Sequence, residues 1–331
     1  MVSHWDPPRL LETSGSYWQG SALQAAIRLD IFTYLSDASL QAEALATLLK
    51  CDERALNMLL RALAAMDLLV IDKVGFRCPE PICYWLDANS NQYLGHIIRH
   101  QHHLVESWSQ LDQAVQSGQP QRERSSFSDD EWRRDFLLGM HNLSCMLAPQ
   151  LVPLMPVGNP QRLLDLGGGP GTWSVHFCQQ HPLLQATVFD LPESRPIFSQ
   201  NINKIGMSER IGFVGGNFLE DPLGSDFDLV WLSHVLHAEG PEQAAQLVAH
   251  AAAATASGGI LLIHEFILND HDPGPAYPAL FALNMLLGTE KGQAYSEQEI
   301  RDMCLDAGLV NVTRLPVPAT IKSGVIYAEK P

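Results

Sequence analysis

The sequence is short of basic residues. It carries 21 Lys and Arg against 37 Asp and Glu, which gives a net charge of −16 at pH 7 over 331 residues. So large an acidic excess is repelled by phosphate backbones and by anionic lipid surfaces. We therefore expect neither nonspecific binding of nucleic acid nor attachment to a membrane.

Long apolar runs and paired cysteines are also missing. The sequence has no stretch of about 18 apolar residues, and the first 20 residues lack a basic region followed by an apolar core. We therefore expect neither a membrane span nor a signal peptide. The six cysteines form no C-x-x-C pair, and such scattered thiols are typical of a reduced, cytoplasmic protein. They are Cys51, Cys78, Cys83, Cys145, Cys178 and Cys304.

The first half of the chain has helical patterns. Apolar residues recur at four-residue spacing from Leu23 to Leu35, which predicts one face of a helix. Residues 68–78, LLVIDKVGFRC, predict two short strands around a turn. Helices followed by such a hairpin are typical of a winged helix, which serves either DNA binding or dimerisation. Residues 40–80 hold six acids and five bases, and this lack of a basic stripe favours dimerisation.

A histidine-rich stretch and a polar stretch lie before residue 130. His96 and His100 share a predicted helix face, but no cysteine or carboxylate completes a ligand set there, so we predict no metal site. Residues 113–130, QAVQSGQPQRERSSFSDD, are polar and predict a loop.

From about residue 160 short apolar runs alternate with helical segments. The runs RLLDL, ATVFD, IGFVGG, FDLVWLS and GGILLIHEF predict strands. Strands that alternate with helices indicate an α/β fold with a doubly wound, mostly parallel sheet. Ligands of such sheets bind at the carboxyl ends of the strands.

The stretch DLGGGPG, which follows the first of these strands, predicts a cofactor-binding turn. Gly167 and Gly169 match the first glycines of a dinucleotide motif, but Thr172 stands where the third would be. Asp165 would also repel a pyrophosphate. The same acid would attract the sulfonium and ammonium groups of S-adenosylmethionine. The turn therefore favours S-adenosylmethionine over NAD.

Polar residues follow the next two strands. Asp190 ends ATVFD, where an acid can accept hydrogen bonds from ribose hydroxyls. Asn217 and Phe218 follow IGFVGG, and an amide and a ring suit the edge and the face of adenine. Three strand ends in register thus predict one nucleoside site.

The ordered motifs resemble those of a known family. The chain contains DLGGGPG, TVFDLPE, GNFLEDPLG, FDLVWLSHVLH, GGILLIHEFILND, LFALNMLLGTEKGQAYSEQEI and SGVIYAEK. Together they resemble the class I S-adenosylmethionine-dependent O-methyltransferases, more narrowly the acetylserotonin and plant caffeic acid O-methyltransferase family. The helical half is similar to the family's winged-helix dimerisation domain. The resemblance implies a homodimer whose chains have a dimerisation domain (1–100), connecting helices that line the substrate pocket (101–158) and a Rossmann-like catalytic domain (159–331).

The resemblance also implies roles for single residues. His237 would be the general base, with His234 as the alternative, and Glu265 would orient the base. The motifs and the resemblance together predict a cofactor site of Asp165, Gly167, Gly169, Asp190, Leu191, Gly216, Asn217, Phe218 and Ser233. The predicted substrate contacts are Trp132, Phe136, Met140, His141 and Asn284.

These observations predict methyl transfer to the hydroxyl of a small, aromatic specialised metabolite, with no metal. Two alternatives stay open: C-methylation or other S-adenosylmethionine chemistry on the same fold, and a non-enzymatic winged-helix regulator that senses the cofactor. The sequence departs from the family pattern where Ala238, Asn217 and Ala294 replace acids.

Overall fold

The computed structural model of the chain describes residues 5–124 and 129–331. The chain divides into two compact units, residues 1–105 and 106–331. A single helix, Gly95–Trp108, runs through both the division and the predicted boundary at residue 100. The three predicted segments, 1–100, 101–158 and 159–331, stay a prediction. None of the helices in the described ranges is long and apolar enough to cross a membrane.

The N-terminal unit is helical with one short hairpin. Its helices are α1 (Pro7–Gly15), α2 (Tyr17–Arg28), α3 (Ile31–Tyr34), α4 (Ala42–Leu49), α5 (Glu53–Ala65), α6 (Glu80–Leu86) and α7 (Gly95–Trp108). The predicted hairpin is present as β1 (Val70–Ile71) and β2 (Phe76–Arg77), which pair antiparallel. Its turn is closed by the Asp72 carboxylate, which accepts hydrogen bonds from the backbone N–H groups of Val74 and Gly75 at 2.7 and 3.0 Å.

The helix predicted across Leu23 to Leu35 is interrupted. Helix α2 ends at Arg28, and Asp30 has a left-handed backbone with φ of 54° before α3 begins. Aspartate tolerates this conformation better than most residues, because its short polar side chain can bond locally. Leu35 is nevertheless fully buried, so the apolar spacing predicted burial correctly and helix continuity wrongly.

The C-terminal unit alternates strands and helices as predicted. Its elements are α8 (Leu111–Ser117), α9 (Asp130–Leu151), β3 (Arg162–Leu166), α10 (Thr172–Gln180), β4 (Gln185–Asp190), α11 (Arg195–Ile205), β5 (Ile211–Gly215), β6 (Phe227–Ser233), α12 (Pro241–Ala254), β7 (Thr255–Glu265), α13 (Ala276–Gly288), α14 (Glu297–Asp306), β8 (Val310–Leu315) and β9 (Gly324–Glu329). The sheet order is β5-β4-β3-β6-β7-β9-β8. Strand β9 is antiparallel to β7 and β8, and the remaining pairs are parallel. The mostly parallel α/β fold is confirmed.

Both faces of this sheet are buried. Neighbouring residues of a strand point to opposite faces, so Val230 and Leu232 join one apolar cluster while Leu229 and Trp231 join another. Continuous apolar strands of this kind are typical of parallel sheets covered on both sides. The packing fixes the carboxyl ends of the strands, where the predicted site residues lie.

The predicted loop over residues 113–130 is partly helical. Helix α8 continues to Ser117 with Ala114 fully buried, and Gly118 ends it with a left-handed φ of 67°. Burial of this small apolar residue stabilises a turn of helix that the polar composition obscured. Residues 125–128 of the predicted loop lie outside the described residues. All six cysteines are unpaired.

Candidate active site

The glycine turn joins β3 to α10. Gly167 and Gly169 have left-handed φ values of 66° and 48°, which glycine adopts without strain. A Cβ atom on Gly167 would lie 2.5 Å from a methyl carbon of Val235, in the segment after β6. The missing side chain at Gly167 therefore lets Val235 pack against the turn, and the left-handed backbone of both glycines bends the chain at the sheet edge.

Asp165 lies buried beneath this turn. Its Oδ2 accepts hydrogen bonds from the N–H and Oγ of Ser174, at 3.2 and 2.7 Å, and so caps the first turn of α10. Its Oδ1 is buried with no hydrogen-bond partner among the described residues. Burial raises the pKa of Asp165 to about 7, against the lowering effect of the Ser174 hydrogen bonds. An acid held in this way favours a nearby positive charge.

Asp190, at the end of β4, organises the turn from the other side. Its Oδ2 accepts from the Gly169 N–H at 2.7 Å, and its Oδ1 accepts from the Leu191 N–H at 2.7 Å and the Ser194 hydroxyl at 2.9 Å. Burial raises the pKa of Asp190, and these hydrogen bonds oppose the rise. A carboxylate has about four acceptor positions, so one remains for a ligand hydroxyl.

The strand β5 end lies next to Asp190. The Gly216 N–H donates to the Asp190 backbone oxygen at 3.0 Å. A Cβ atom on Gly216 would lie 2.6 Å from the ring of Phe189. The glycine therefore lets the chain turn tightly beside Asp190.

Asn217 and Phe218 follow this turn. The Asn217 side-chain oxygen accepts from the Leu219 N–H at 3.1 Å, so its amide nitrogen is the group that can donate to a ligand. The Asn217 N–H donates to Asp221 Oδ2 at 2.8 Å. Phe218 is partly buried against the core. The two residues lie at the same sheet edge as Asp190.

Ser233, at the end of β6, takes part in a buried polar chain. Its Oγ is 2.9 Å from His264 Nδ1, and His264 Nε2 is 2.7 Å from the Ser323 hydroxyl. Burial holds the pKa of His264 well below its ordinary value, so this imidazole is neutral. Ser233 is thus held by the protein's own hydrogen bonds.

His237 and Glu265 form a close pair. His237 lies in a short turn, Leu236–Ala238, directly after β6, and Glu265 ends β7. The distance between His237 Nδ1 and Glu265 Oε2 is 2.7 Å. Burial alone would raise the pKa of Glu265, but the charge of His237 and the two imidazoles' interactions outweigh it and hold the pKa far below its ordinary value. Because Glu265 accepts from Nδ1, Nε2 of His237 is the nitrogen that can take a proton.

His234 is a more distant neighbour of the same carboxylate. Its Nδ1 is 3.6 Å from Glu265 Oε2, too long for a hydrogen bond. Its backbone is left-handed, with φ of 55°, where the chain turns away from β6. The ligand atoms of His234, His237 and Glu265 all lie within 4.8 Å of one another, a spacing that could also hold a metal ion.

Aromatic side chains border the imidazole of His237. The ring of Phe281, on α13, is 4.7 Å from it between centroids and meets it edge to face. Phe266 lies 4.6 Å from Phe281, and Tyr277 lies 5.0 Å from Phe266. An apolar, aromatic wall therefore borders the pair.

The predicted substrate residues lie on two helices. Trp132, Phe136 and Met140 recur every four residues of α9, which places them on one face. His141 follows them, and its Nδ1 is 2.7 Å from Thr172 Oγ1 in α10. Asn284, on α13, accepts hydrogen bonds from Arg122 through both its side-chain and backbone oxygens, at 3.2 and 3.3 Å.

Two family descriptions match the chain. An O-methyltransferase domain matches residues 108–310, more than half of the sequence, and an O-methyltransferase dimerisation domain matches residues 11–89. The chain belongs to the O-methyltransferase family. The methyltransferase activity and the cofactor S-adenosylmethionine, both predicted from the sequence, are confirmed for it.

Individual relatives match the methyltransferase over nearly its whole length. The 3-hydroxy-5-methyl-1-naphthoate 3-O-methyltransferase of Streptomyces sahachiroi is 30% identical and covers 98% of this chain and 95% of its own. The tetracenomycin polyketide synthesis 8-O-methyl transferase TcmO of Streptomyces glaucescens is 29% identical and covers 96% of each. The solved structure of PigF, a Serratia methyl transferase, with S-adenosylhomocysteine has a TM-score of 0.89 at 27% identity, over 98% of this chain and 100% of its own.

The departures from the family pattern do not leave His237 without a carboxylate partner. Ala238 and Ala294 cannot bind an imidazole, but Glu265 already does so. Glu239, beside Ala238, is bound instead by Arg124, at 2.7 Å between Oε1 and Nη1.

Sequence reasoning missed three residues that hydrogen-bond to the predicted site residues. Ser194 lies four residues after Asp190, and Ser174 nine after Asp165, so a search for local partners of the two acids could have found both. Arg122 contacts Asn284 across 162 residues, and no sequence pattern signals that contact.

Proposed function

We propose that this enzyme methylates a hydroxyl group of a small aromatic metabolite, with His237 as the general base. The observation that carries the proposal is the His237–Glu265 pair, bordered by the Phe281 ring. The name of the Streptomyces sahachiroi relative, which describes a hydroxynaphthoate as substrate, supports an aromatic acceptor.

The residues around the glycine turn would hold the cofactor. Asp190 has one acceptor position left for a ribose hydroxyl, and the left-handed backbone at Gly167 and Gly169 would shape the turn against the methionine part. Asn217 would donate to the adenine edge, and Asp165 would attract positive charge. When bound, S-adenosylmethionine supplies a methyl group on a positively charged sulfur.

His237 would then remove the acceptor's proton. An aromatic hydroxyl has a pKa of about 10, judged from tyrosine, so it is neutral and weakly nucleophilic at pH 7. Nε2 of His237 accepts this proton as the oxygen attacks, and the imidazolium that forms is stabilised by the ionised Glu265 at Nδ1. The aromatic wall excludes water and orients the ring of the acceptor.

We also propose that the enzyme is a cytoplasmic homodimer. The match to the dimerisation domain over residues 11–89 supports the dimer, and six unpaired thiols fit a reducing compartment. Sedimentation equilibrium would test the dimer, and a monomer at micromolar concentration would contradict it.

The test of the function is an acceptor screen with methyl-labelled S-adenosylmethionine. Phenols, naphthols and hydroxynaphthoates are offered, and each product is analysed by NMR. We expect an aryl methyl ether. Methylation of ring carbon would instead support the alternative C-methyltransferase, and binding of S-adenosylhomocysteine without transfer to any of these acceptors would contradict the proposed acceptor class.

A further inference from the structure

Arg122 brings a guanidinium group to the side of α13. Its Nη2 donates to the side-chain and backbone oxygens of Asn284 at 3.2 and 3.3 Å, and its Nη1 donates to the Glu123 backbone oxygen at 3.3 Å. All three acceptors are neutral, and all three distances are at the long end for hydrogen bonds. These contacts position the group without neutralising its charge.

No carboxylate among the described residues lies within 4.0 Å of the Arg122 guanidinium. The Nε atom is buried and has no hydrogen-bond partner in the described part of the chain. Burial lowers the pKa of Arg122 to about 10. A buried charge without a counter-ion is costly, so this cation is suited to an anion brought by a ligand.

Arg124, two residues along, shows the contrast. Its Nη1 donates to Glu239 at 2.7 Å, so its charge is already paired inside the protein. Both arginines are partly buried and belong to the same segment. They differ in that Arg124 has a carboxylate partner, whereas Arg122 has none among the described residues.

Gly288 makes room for the Arg122 guanidinium. A Cβ atom on this last residue of α13 would lie 2.3 Å from Nη1. The guanidinium thus lies against the C-terminal turn of a helix, whose carbonyl groups favour a cation but supply only part of a counter-charge. Because Gly288 has no side chain, the N–H groups of the Arg122 guanidinium can lie against this turn.

Helix α13 links Arg122 to the base. Phe281 contacts the His237 ring, Asn284 lies three residues later, and Gly288 four residues after that. At 1.5 Å per residue these positions are about 5 and 10 Å further along the helix axis. An acceptor whose hydroxyl reaches His237 can therefore extend along α13 toward Arg122.

We propose that Arg122 binds a carboxylate of the methyl acceptor, which makes the acceptor a hydroxylated aromatic acid. This inference rests on the proposed function, because it assigns the substrate class of the same site. The planar guanidinium matches a carboxylate with two parallel hydrogen bonds. Arg122 is thus a specificity-determining residue for the reaction.

The test compares two ligands that differ only in charge. A hydroxynaphthoate with its hydroxyl and carboxyl groups at opposite ends of the ring system, and the matching hydroxynaphthamide, are titrated calorimetrically into the protein saturated with S-adenosylhomocysteine. We expect the wild type to prefer the acid by about 10- to 100-fold, the range of a charge-assisted pair. Arg122→Gln should abolish this preference, and Gly288→Ala, which displaces the guanidinium while keeping its charge, should reduce it.

The matched control is Arg314→Gln. Arg314 is paired with Glu297 at 3.5 Å, so its loss should leave the ratio of the two affinities unchanged. A merely structural role of Arg122 would weaken both ligands alike and leave the ratio as in the wild type, which would overturn the inference. A wild type that prefers the amide, or binds neither ligand, would overturn it too. Failure to bind S-adenosylhomocysteine would instead count against the proposed function.

Discussion

Asp165 and Glu265 are both buried acids at the carboxyl ends of parallel strands, yet their pKa values move in opposite directions. Burial raises that of Asp165 to about 7. Glu265 is as deeply buried, but the imidazoles of His237 and His234 hold its pKa far below the ordinary value. Glu265, on the side of the proposed base, is therefore stabilised as a carboxylate by imidazoles of the chain itself. On the cofactor side, Asp165 has no basic residue bound to it among the described residues, and its cation would come with the ligand.

The largest expected effect is a loss of turnover when His237, the proposed base, is replaced. His237→Ala should lower kcat by about 100- to 10,000-fold, because it removes the proton acceptor, while leaving S-adenosylhomocysteine affinity near that of the wild type. Steady-state rates and calorimetry measure the two quantities. The matched control is His271→Ala, an exposed histidine in the segment after β7. A kcat of His237→Ala equal to that of the wild type would contradict the proposal that His237 is the general base.

A substitution on the cofactor side should instead change the affinity for S-adenosylhomocysteine. Asp190→Ala should weaken S-adenosylhomocysteine binding by about 10- to 100-fold, since it removes a charged acceptor and the hydrogen bond that holds Gly169. Calorimetric titration measures the loss. Asp228→Asn is the control, because Asp228 also accepts two backbone N–H bonds, at 2.7 and 2.9 Å, but near the amino end of β6. Equal binding by Asp190→Ala and the wild type would contradict the assignment.

The smallest effect is a pH dependence that comes from the raised pKa of Asp165. Between its ordinary value of 3.8 and about 7, the free folded protein keeps a proton that the unfolded chain has lost, so stability falls as pH rises through this window. The ammonium group of S-adenosylhomocysteine, placed near Asp165, would favour the ionised acid and release that proton. S-adenosylhomocysteine affinity should therefore increase as pH rises through about 7, by at most about tenfold per unit.

Asp165→Asn isolates this contribution. The variant keeps an acceptor oxygen for Ser174 but cannot ionise, so its affinity should vary less with pH than that of the wild type. Calorimetry from pH 6 to pH 8 measures the difference. Identical pH profiles for the two proteins would show that Asp165 does not exchange its proton on binding.

Much of the fold follows from local sequence patterns. Helix α14 begins with a capping box between Ser296 and Glu299, which a sequence pattern can signal because the two residues are three apart. The pairing of His237 with Glu265 was also predictable, although 28 residues separate them. His237 follows β6 and Glu265 ends β7, and the carboxyl ends of adjacent parallel strands meet at one edge.

Other features depend on tertiary contacts that no local pattern encodes. The left-handed backbones of Asp30 and His234 interrupt patterns that continue in the sequence, because packing on either side outweighs local preference. The contact between Arg122 and Asn284 joins distant segments, so neither residue type nor spacing predicts it. The sequence also did not show whether the Asp165 side chain points out of the glycine turn or lies buried beneath it, because tertiary packing decides its orientation.

Strand β9 lies between β7 and β8 although it follows both along the chain. Its register places Gly324 opposite Glu265 and Glu329 opposite Ile260. Because the ribosome delivers the chain from its N-terminus, β7 emerges with one edge unpaired and stays so until β9 has been made. The strand that carries Glu265 is therefore supported on both sides only at a late stage of translation. Nascent chains that stall before this stage would expose an open sheet edge to mispairing, and they would lack a finished catalytic centre.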